Sequence, residues 1–235
     1  MIQIENDEVY GWEAAIRGMR NPMNSWDKSD SDFCYSWYDE ECPKNCVHHC
    51  VCNKNTAHLI VGENDLALMK KLVKAGTDHR KFLRMINVTV DITAPLYWWK
   101  EFDTYKICTV RNSCSTMHKI TAKKFTIGDF SHEHLSTFKE EDKFDNRREY
   151  DCRVWLNTTK NQLNWLREKY LETKDKKYWW QIIQLLPSSY NQRATVQLNY
   201  EVLLNMYHSR KTHKLDEWRT FCEWIESLPY MEEFI

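Results

Sequence analysis

Two periods of apolar residues alternate along the chain, and each change of period marks the end of an element. From Ile86 to Ile92 the order is strict alternation. Ile86, Val88, Val90 and Ile92 face Asn87, Thr89, Asp91 and Thr93, which predicts a strand with one buried side and one wet or ligand-facing side. Three-and-four spacing predicts helices elsewhere: Glu8–Met19 burying Trp12, Ala15 and Ile16; Leu66–Ala75 burying Leu68, Met69, Leu72 and Val73; and Leu215–Leu228 burying Leu215, Trp218, Cys222 and Ile225. Gly18 and Asn21-Pro22 break the first of these. Asn64 and Asp65 are placed to cap the second, and Gly76 to stop it in a left-handed turn. Thr93 reads as the cap of a helix with Pro95 in its first turn, running through Leu96, Trp98, Trp99 and Phe102. Thr158 or Thr159 opens another helix with Leu163, Leu166 and Tyr170, and a further one runs from Tyr178 to Leu186, where Pro187 ends it. Met23–Glu41 has no period and reads as an ordered loop, and Phe125–Asp151, where charges dominate, as a loop with a brief helix near His134.

The stretch Leu186–Trp218 organises the rest. It reads as a turn, a helix of about four turns and a second helix, with Leu198, Val202, Leu203 and Met206 as the buried stripe. Asn199 and Arg210 are eleven residues apart. That is almost three turns at about 3.6 residues each, so on one rod they point the same way, with Asn205 between them. Amide and guanidinium donors held in this way suit a long ligand with hydrogen-bonding rings at one end and a charge at the other. A solvated polar face is the other reading of each residue alone.

Composition narrows the partners. With 33 basic and 34 acidic residues the net charge is -1, so there is no global field for duplex nucleic acid or an acidic membrane, and single-strand binding by exposed aromatics is disfavoured. Five glycines and five prolines in 235 residues leave no linker, and one domain over residues 1–235 is expected, with a cysteine-rich insertion or loop at about 34–55. No apolar run approaches the roughly 18 residues of a membrane span and no signal pattern opens the chain, so a cytoplasmic protein is expected.

Nine cysteines without a secretory signal point to thiols or a metal site. Cys42, Cys46, Cys50 and Cys52, with His48 and His49 among them, could hold a tetrahedral zinc, although their spacing differs from the usual knuckle and no second ligand pair follows. Reduced thiols in a loop are the alternative. Arg111–Ser115 is a short run of hydroxyls and a guanidinium of the kind a phosphate recruits, or else a polar surface loop.

Three stretches, in order, resemble the flavin-dependent thymidylate synthases. Asp65–His79 looks like that family's helix, glycine stop and flavin-side histidine, and Val88–Lys106 like the strand and helix that lead to its signature. In Leu186–Trp218, Asn199, Asn205 and Arg210 stand at the spacing of its two flavin-contacting asparagines and its nucleotide-binding arginine. The family's signature, Arg-His-Arg, seven residues and Ser-x-Arg, falls on Thr104, Tyr105, Lys106, Cys114 and Thr116, and none is identical. Lys106 keeps a cation without the bidentate fork, Tyr105 keeps a ring with a hydrogen-bonding tip, and a one-residue slip brings Ser115 into the serine's place. A further family arginine meets Ile183; Arg111, His118 and Lys119 are candidates to take over the missing charges.

The resemblance implies an α+β fold, with a central twisted, mostly antiparallel sheet flanked by helices and a long C-terminal helical region. It implies an FAD-dependent methyltransferase that moves a one-carbon unit from methylenetetrahydrofolate to C5 of dUMP, giving dTMP, with NADPH reducing the flavin. On this reading His79, Lys81, Tyr105, Lys106, Ile107, Asn199 and Asn205 hold the flavin, and Glu101, Arg111, Ser113, Ser115 and Arg210 hold the nucleotide. No catalytic side chain is assigned, because the chemistry resides in the cofactor. A homotetramer with shared sites is also implied, and the 11 Trp and 12 Tyr would suit its interfaces. The altered signature leaves open a flavoenzyme for another pyrimidine nucleotide or another one-carbon group, and the cysteine cluster leaves open a non-catalytic, zinc-stabilised interaction module.

Overall fold

A computed structural model of the chain describes residues 2–34, 58–136 and 152–235. The elements in order are β1 (Gln3–Tyr10), α1 (Trp12–Arg20), β2 (Asp32–Cys34), β3 (His58–Ile60), α2 (Glu63–Lys74), β4 (Asn87–Pro95), α3 (Leu96–Phe102), β5 (Val110–Ser113), α4 (Cys152–Thr173), α5 (Lys176–Leu185), β6 (Asn191–Asn199), α6 (Tyr200–Arg210) and α7 (Asp216–Ser227). An antiparallel four-stranded sheet has the order β1-β4-β6-β5, and β2 pairs antiparallel with β3, Phe33 opposite Leu59. The α+β class is as expected. By packing, the chain divides into a unit of Met1–Gln3, Ile92–Thr104 and Asn112–Ala194, here the α4–α5 unit, and a unit of Ile4–Asp91, Tyr105–Arg111 and Thr195–Ile235, here the α6–α7 unit.

The expected strand is present and longer than its alternation suggested. Val88, Val90, Ile92 and Ala94 are fully buried in β4. Thr93 stays in the strand and caps nothing, because a proline disfavours helical backbone in the residue before it, which keeps Ala94 extended. Pro95 is itself the N-cap of α3, and the first amides of that helix, Leu96 and Tyr97, donate to the carbonyls of Tyr190 and Ser188. In the α6–α7 unit the wet side of the sheet is a polar lattice in which Asp91 accepts from Asn6 and Thr195 while Tyr10 meets Thr89 and Gln197.

Several helix starts differ from expectation, and three shifts matter most. Glu8–Tyr10 belongs to β1, and α1 starts at Trp12 after a left-handed Gly11, φ 97°. The run Asn191–Asn199 is strand β6, with Gln192, Ala194, Val196 and Leu198 inward and Arg193, Thr195 and Gln197 outward, so the rod expected to carry Asn199 starts only at Tyr200. Helix α4 starts at Cys152. Thr158 and Thr159 lie inside it and return their hydroxyls to the carbonyls of Val154 and Trp155, 2.9 and 3.0 Å away.

Each unit has its own core. In the α4–α5 unit Ile120, Phe125, Phe130, Leu156, Leu163, Leu166 and Ile182 pack together. In the α6–α7 unit Trp12 meets Tyr200 edge to face at 5.4 Å, and Trp218 meets Phe221 in the same way at 5.7 Å. The expected caps of α2 do not form. Gly62 is its N-cap, and Asp65 is a fully buried carboxylate that accepts from Arg20 Nε at 2.6 Å, from Ser29 and Ser31, and from two backbone amides, while Gly76 is left-handed as expected. Among the described residues no helix is long and apolar enough to cross a membrane. Cys42, Cys46, Cys50 and Cys52 lie outside the described residues.

Candidate functional site

The face of α6 that carries polar residues is built from the sequence NYEVLLNMYHSR. Asn199 is the cap, its Oδ1 accepting from Val202 N at 3.0 Å, and it is buried. Glu201 and Asn205, four residues apart, therefore share a face. Arg80, which follows the left-handed Gly76 turn, reaches both. Its Nη2 donates to Asn205 Oδ1 at 3.0 Å. Its Nε donates to Glu201 Oε1 at 3.2 Å and lies 3.0 Å from Oε2 without hydrogen-bond geometry there, so Oε2 gains charge contact but no directed donor. Glu201 is buried and Asn205 exposed, which leaves the two N–H donors of Asn205 as what it can offer a ligand.

One turn further along, Arg210 Nε donates to the Tyr105 hydroxyl at 2.9 Å. Its guanidinium carbon lies 4.6 Å from the Trp218 ring centroid and 5.6 Å from that of Tyr105. Two aromatic faces and one hydroxyl thus hold the cation in place. On the same helix, desolvation, with the charges of Lys211 and Arg80, holds His208 below the ordinary histidine range. Burial pushes the Cys222 thiol up to about 11, so it stays protonated at neutral pH. A hydrogen bond to Glu226 ties Tyr207 of α6 to α7 and raises its phenol to about 12.

No protein-family model and no curated protein sequence matches the chain. Solved structures do. The flavin-dependent thymidylate synthase ThyX from Helicobacter pylori, complexed with FAD and dUMP, aligns over 99% of this chain and 97% of its own at 14% identity and a TM-score of 0.63. A second structure of ThyX from that organism, also with FAD and dUMP, covers 100% and 96% at 14% identity, with a TM-score of 0.61. The fold is that of the flavin-dependent thymidylate synthases.

On this thymidylate synthase fold the expected site residues fall into both units. His79, Lys81, Tyr105, Lys106, Ile107, Arg111, Asn199, Asn205 and Arg210 are in the α6–α7 unit; Glu101, Ser113 and Ser115 are in the α4–α5 unit. Tyr105 and Arg210 are brought into direct contact. His79, Lys81 and Lys106 are exposed, as is Ile107, at 83% the most open large apolar side chain described. Arg111 is half-buried in β5 rather than in a loop, and Ser113 ends that strand. The backbone between the two serines is pinned: Cys114 N donates to Arg193 O at 2.9 Å and Cys114 O accepts from Gln192 Nε2 at 2.6 Å. Ser115 Oγ accepts from His118 N at 2.9 Å, which leaves its hydroxyl hydrogen to give. Asn199 and Arg210 do not share a helix, since one caps α6 and the other ends it.

Sequence reasoning missed Trp218, Glu201 and the role of Arg80. The sequence marks Trp218 only as core, and no spacing rule links it to Arg210, because the two lie on successive helices and meet through packing. The four-residue spacing of Glu201 and Asn205 was the signal for the second cluster.

Proposed function

We propose that the protein is a flavin-dependent enzyme of the thymidylate synthase type, acting on dUMP. The observation that carries this reading is the match over the whole chain to structures that hold FAD and dUMP, supported by the fixed cation at Arg210. Bound FAD, reduced by NADPH, would supply the carrier for a one-carbon unit passing from methylenetetrahydrofolate to C5 of dUMP, the product being dTMP.

The residues present fit a planar, carbonyl-rich ring and a nucleotide. Arg210, immobilised by Tyr105 and Trp218, presents its charge to the nucleotide without having to be ordered on binding. Asn205, steadied by Arg80, offers amide hydrogens to ring oxygens, and Arg80 is itself steadied by the buried Glu201 carboxylate. Asn199 has its oxygen committed to the α6 cap, so only its Nδ2 is left for the flavin. His79, Lys81, Lys106 and Ile107 lie exposed for contact with the cofactor, and Ser113, Ser115, Arg111 and Glu101 are the assigned nucleotide contacts. None of these groups is asked to act as nucleophile; they bind and orient. A homotetramer with shared sites, in a cytoplasmic setting, belongs to the same proposal.

A second reading keeps the flavin and changes the substrate. Tyr105 stands where the resembling family has histidine, and its hydroxyl engages Arg210, which alters what that arginine can offer a pyrimidine ring. The test is the visible absorbance of the purified protein, followed by incubation with dUMP, methylenetetrahydrofolate and NADPH. Bound flavin and dTMP formation are expected. Flavin without dTMP favours the second reading, and a colourless protein with stoichiometric zinc sinks both in favour of an interaction module.

A further inference from the structure

We propose that Arg80 is a further cofactor-binding residue, a role that rests on the flavin reading above. With Asn205 it forms a donor pair for one edge of the isoalloxazine ring, Arg80 meeting N1 and Asn205 the C2 oxygen.

Arg80 is fixed at backbone and side chain alike. Its N donates to Gly76 O at 3.1 Å, its O accepts from Leu83 N at 3.1 Å, and the turn Lys81–Arg84 that follows is anchored by the buried Phe82 and Leu83. The guanidinium is aimed by Nε on Glu201 and Nη2 on Asn205. The Glu201 side chain is only 7% exposed and its Oε2 accepts no hydrogen bond among the described residues. Arg80 therefore cannot swing away without leaving a buried carboxylate unpaired.

A guanidinium carries five N–H groups, and these two bonds use two of them. Nη1 makes no bond among the described residues and is not sealed in the interior, the side chain being 14% exposed. Asn205 is exposed, and with its oxygen taken by Arg80 it too has only N–H to give. Unused donors of two residues, tied together by the Nη2–Oδ1 bond, thus stand side by side in the α6–α7 unit with no acceptor among the described residues.

The chemistry of the ligand follows from that set. The Glu201 carboxylate offsets the Arg80 cation, so the pair offers donors with little net charge and suits a neutral ring better than a phosphate. The uracil of a nucleotide does not match, because N3–H or an atom without a free lone pair flanks each of its oxygens, and no two acceptors are adjacent. Isoalloxazine has two such edges, N1 with the C2 oxygen and N5 with the C4 oxygen. On reduction N5 gains a hydrogen and becomes a donor, whereas N1 of the reduced ring is acidic enough to ionise near neutrality and still accepts. Donors alone therefore suit the N1 edge in both redox states.

The test is equilibrium titration of the full chain, freed of bound flavin, with FAD and with 1-deaza-FAD, which has C–H in place of N1; flavin fluorescence reads binding without substrates. The wild type is expected to hold FAD about tenfold tighter than the analogue, the worth of one hydrogen bond from a charged donor. Arg80→Ala should bind the two equally, with the circular dichroism spectrum unchanged. A merely structural Arg80 would lower both affinities together and leave their ratio as it was. If Arg80→Ala does not fold, Arg80→Lys, which keeps a charge for Glu201 but lacks the planar fork, should show the same levelling; the wild-type preference is read without any variant. A wild type that binds neither flavin overturns the flavin reading and this role of Arg80 with it. FAD bound no tighter than the analogue, or a preference that survives in a folded Arg80 variant, overturns the role of Arg80 alone.

Discussion

Among the restraints on the Arg210 guanidinium are a directed bond from Nε to Tyr105, the face of Trp218 at 4.6 Å and the ring of Tyr105 at 5.6 Å. A lysine keeps the charge but has neither a planar surface to stack nor an Nε–H at that position, so its ammonium would wander and hydrate. Arg210→Lys is therefore expected to weaken dUMP binding at least tenfold, and Tyr105→Phe by a smaller factor, since the stack survives the loss of one hydroxyl; titration of each purified variant with dUMP reads both. Equal affinity in Arg210→Lys would remove Arg210 from the site. At this scale the placing of Asn205 and Arg210 on one helix was legible, but not that Asn199 would end a strand and stand outside that helix as its cap. The partners were not. Tyr105 and Trp218 are brought to Arg210 by tertiary packing, and the Arg80–Glu201 pair joins residues 121 positions apart.

Elements were legible where one period ran unbroken. In β4 and α7 every second or every third-to-fourth residue is apolar and the structure buries them. The failure at β6 came from two overlapping patterns: Leu198 fits the stripe of α6 with Val202, yet it also continues the alternation of Ala194 and Val196, and sheet pairing decided for the strand. Entry to α1 was misplaced for a related reason. Gly11 adopts φ 97°, a β-carbon there would lie 2.1 Å from Met85 O, and this close backbone approach ends β1 and swings the chain into the helix. Gly76 is also left-handed, φ 100°, with nothing within 4 Å of such a carbon. The pair separates strain from collision. Gly76→Ala should cost about 1–2 kcal/mol, the left-handed penalty alone, while Gly11→Ala should cost about 2 kcal/mol more because backbone must shift. Urea unfolding of both variants measures the difference, and equal costs would show that the Met85 contact is easily relieved.

For the molecule as a whole, the two units differ in how acid should reach them. In the α4–α5 unit Glu133 and Asp175 are depressed acids, as is Asp129. Desolvation pushes it up, but Lys123 and the Thr126 amide and hydroxyl outweigh that; since Lys123 is largely exposed, solvent and salt screen the pair and it adds little. In the α6–α7 unit Asp65 is fully buried with Arg20, side chains 0% and 4% exposed. Burial pushes Asp65 up as well, but hydrogen bonds from Ser31, Ser29 and Arg20 outweigh it and the carboxyl sits below its ordinary value. A carboxylate depressed in the folded state contributes stability that is complete above its unfolded value, about 3.9, and is lost as pH falls through the folded value. Stability supplied by Asp65 should thus be constant from neutrality to about pH 5 and fail below about pH 4. Asp65→Asn removes the charge at every pH and leaves Arg20 buried without a counterion, so at pH 7 it should cost about 3–5 kcal/mol. In acid the wild-type carboxyl is itself protonated, and the gap between the two proteins should narrow. Urea titrations of both at pH 7, 5 and 3 decide the matter, because a gap that persists undiminished at low pH would mean that the hydrogen bonds around Asp65, and not its charge, hold α1 to α2.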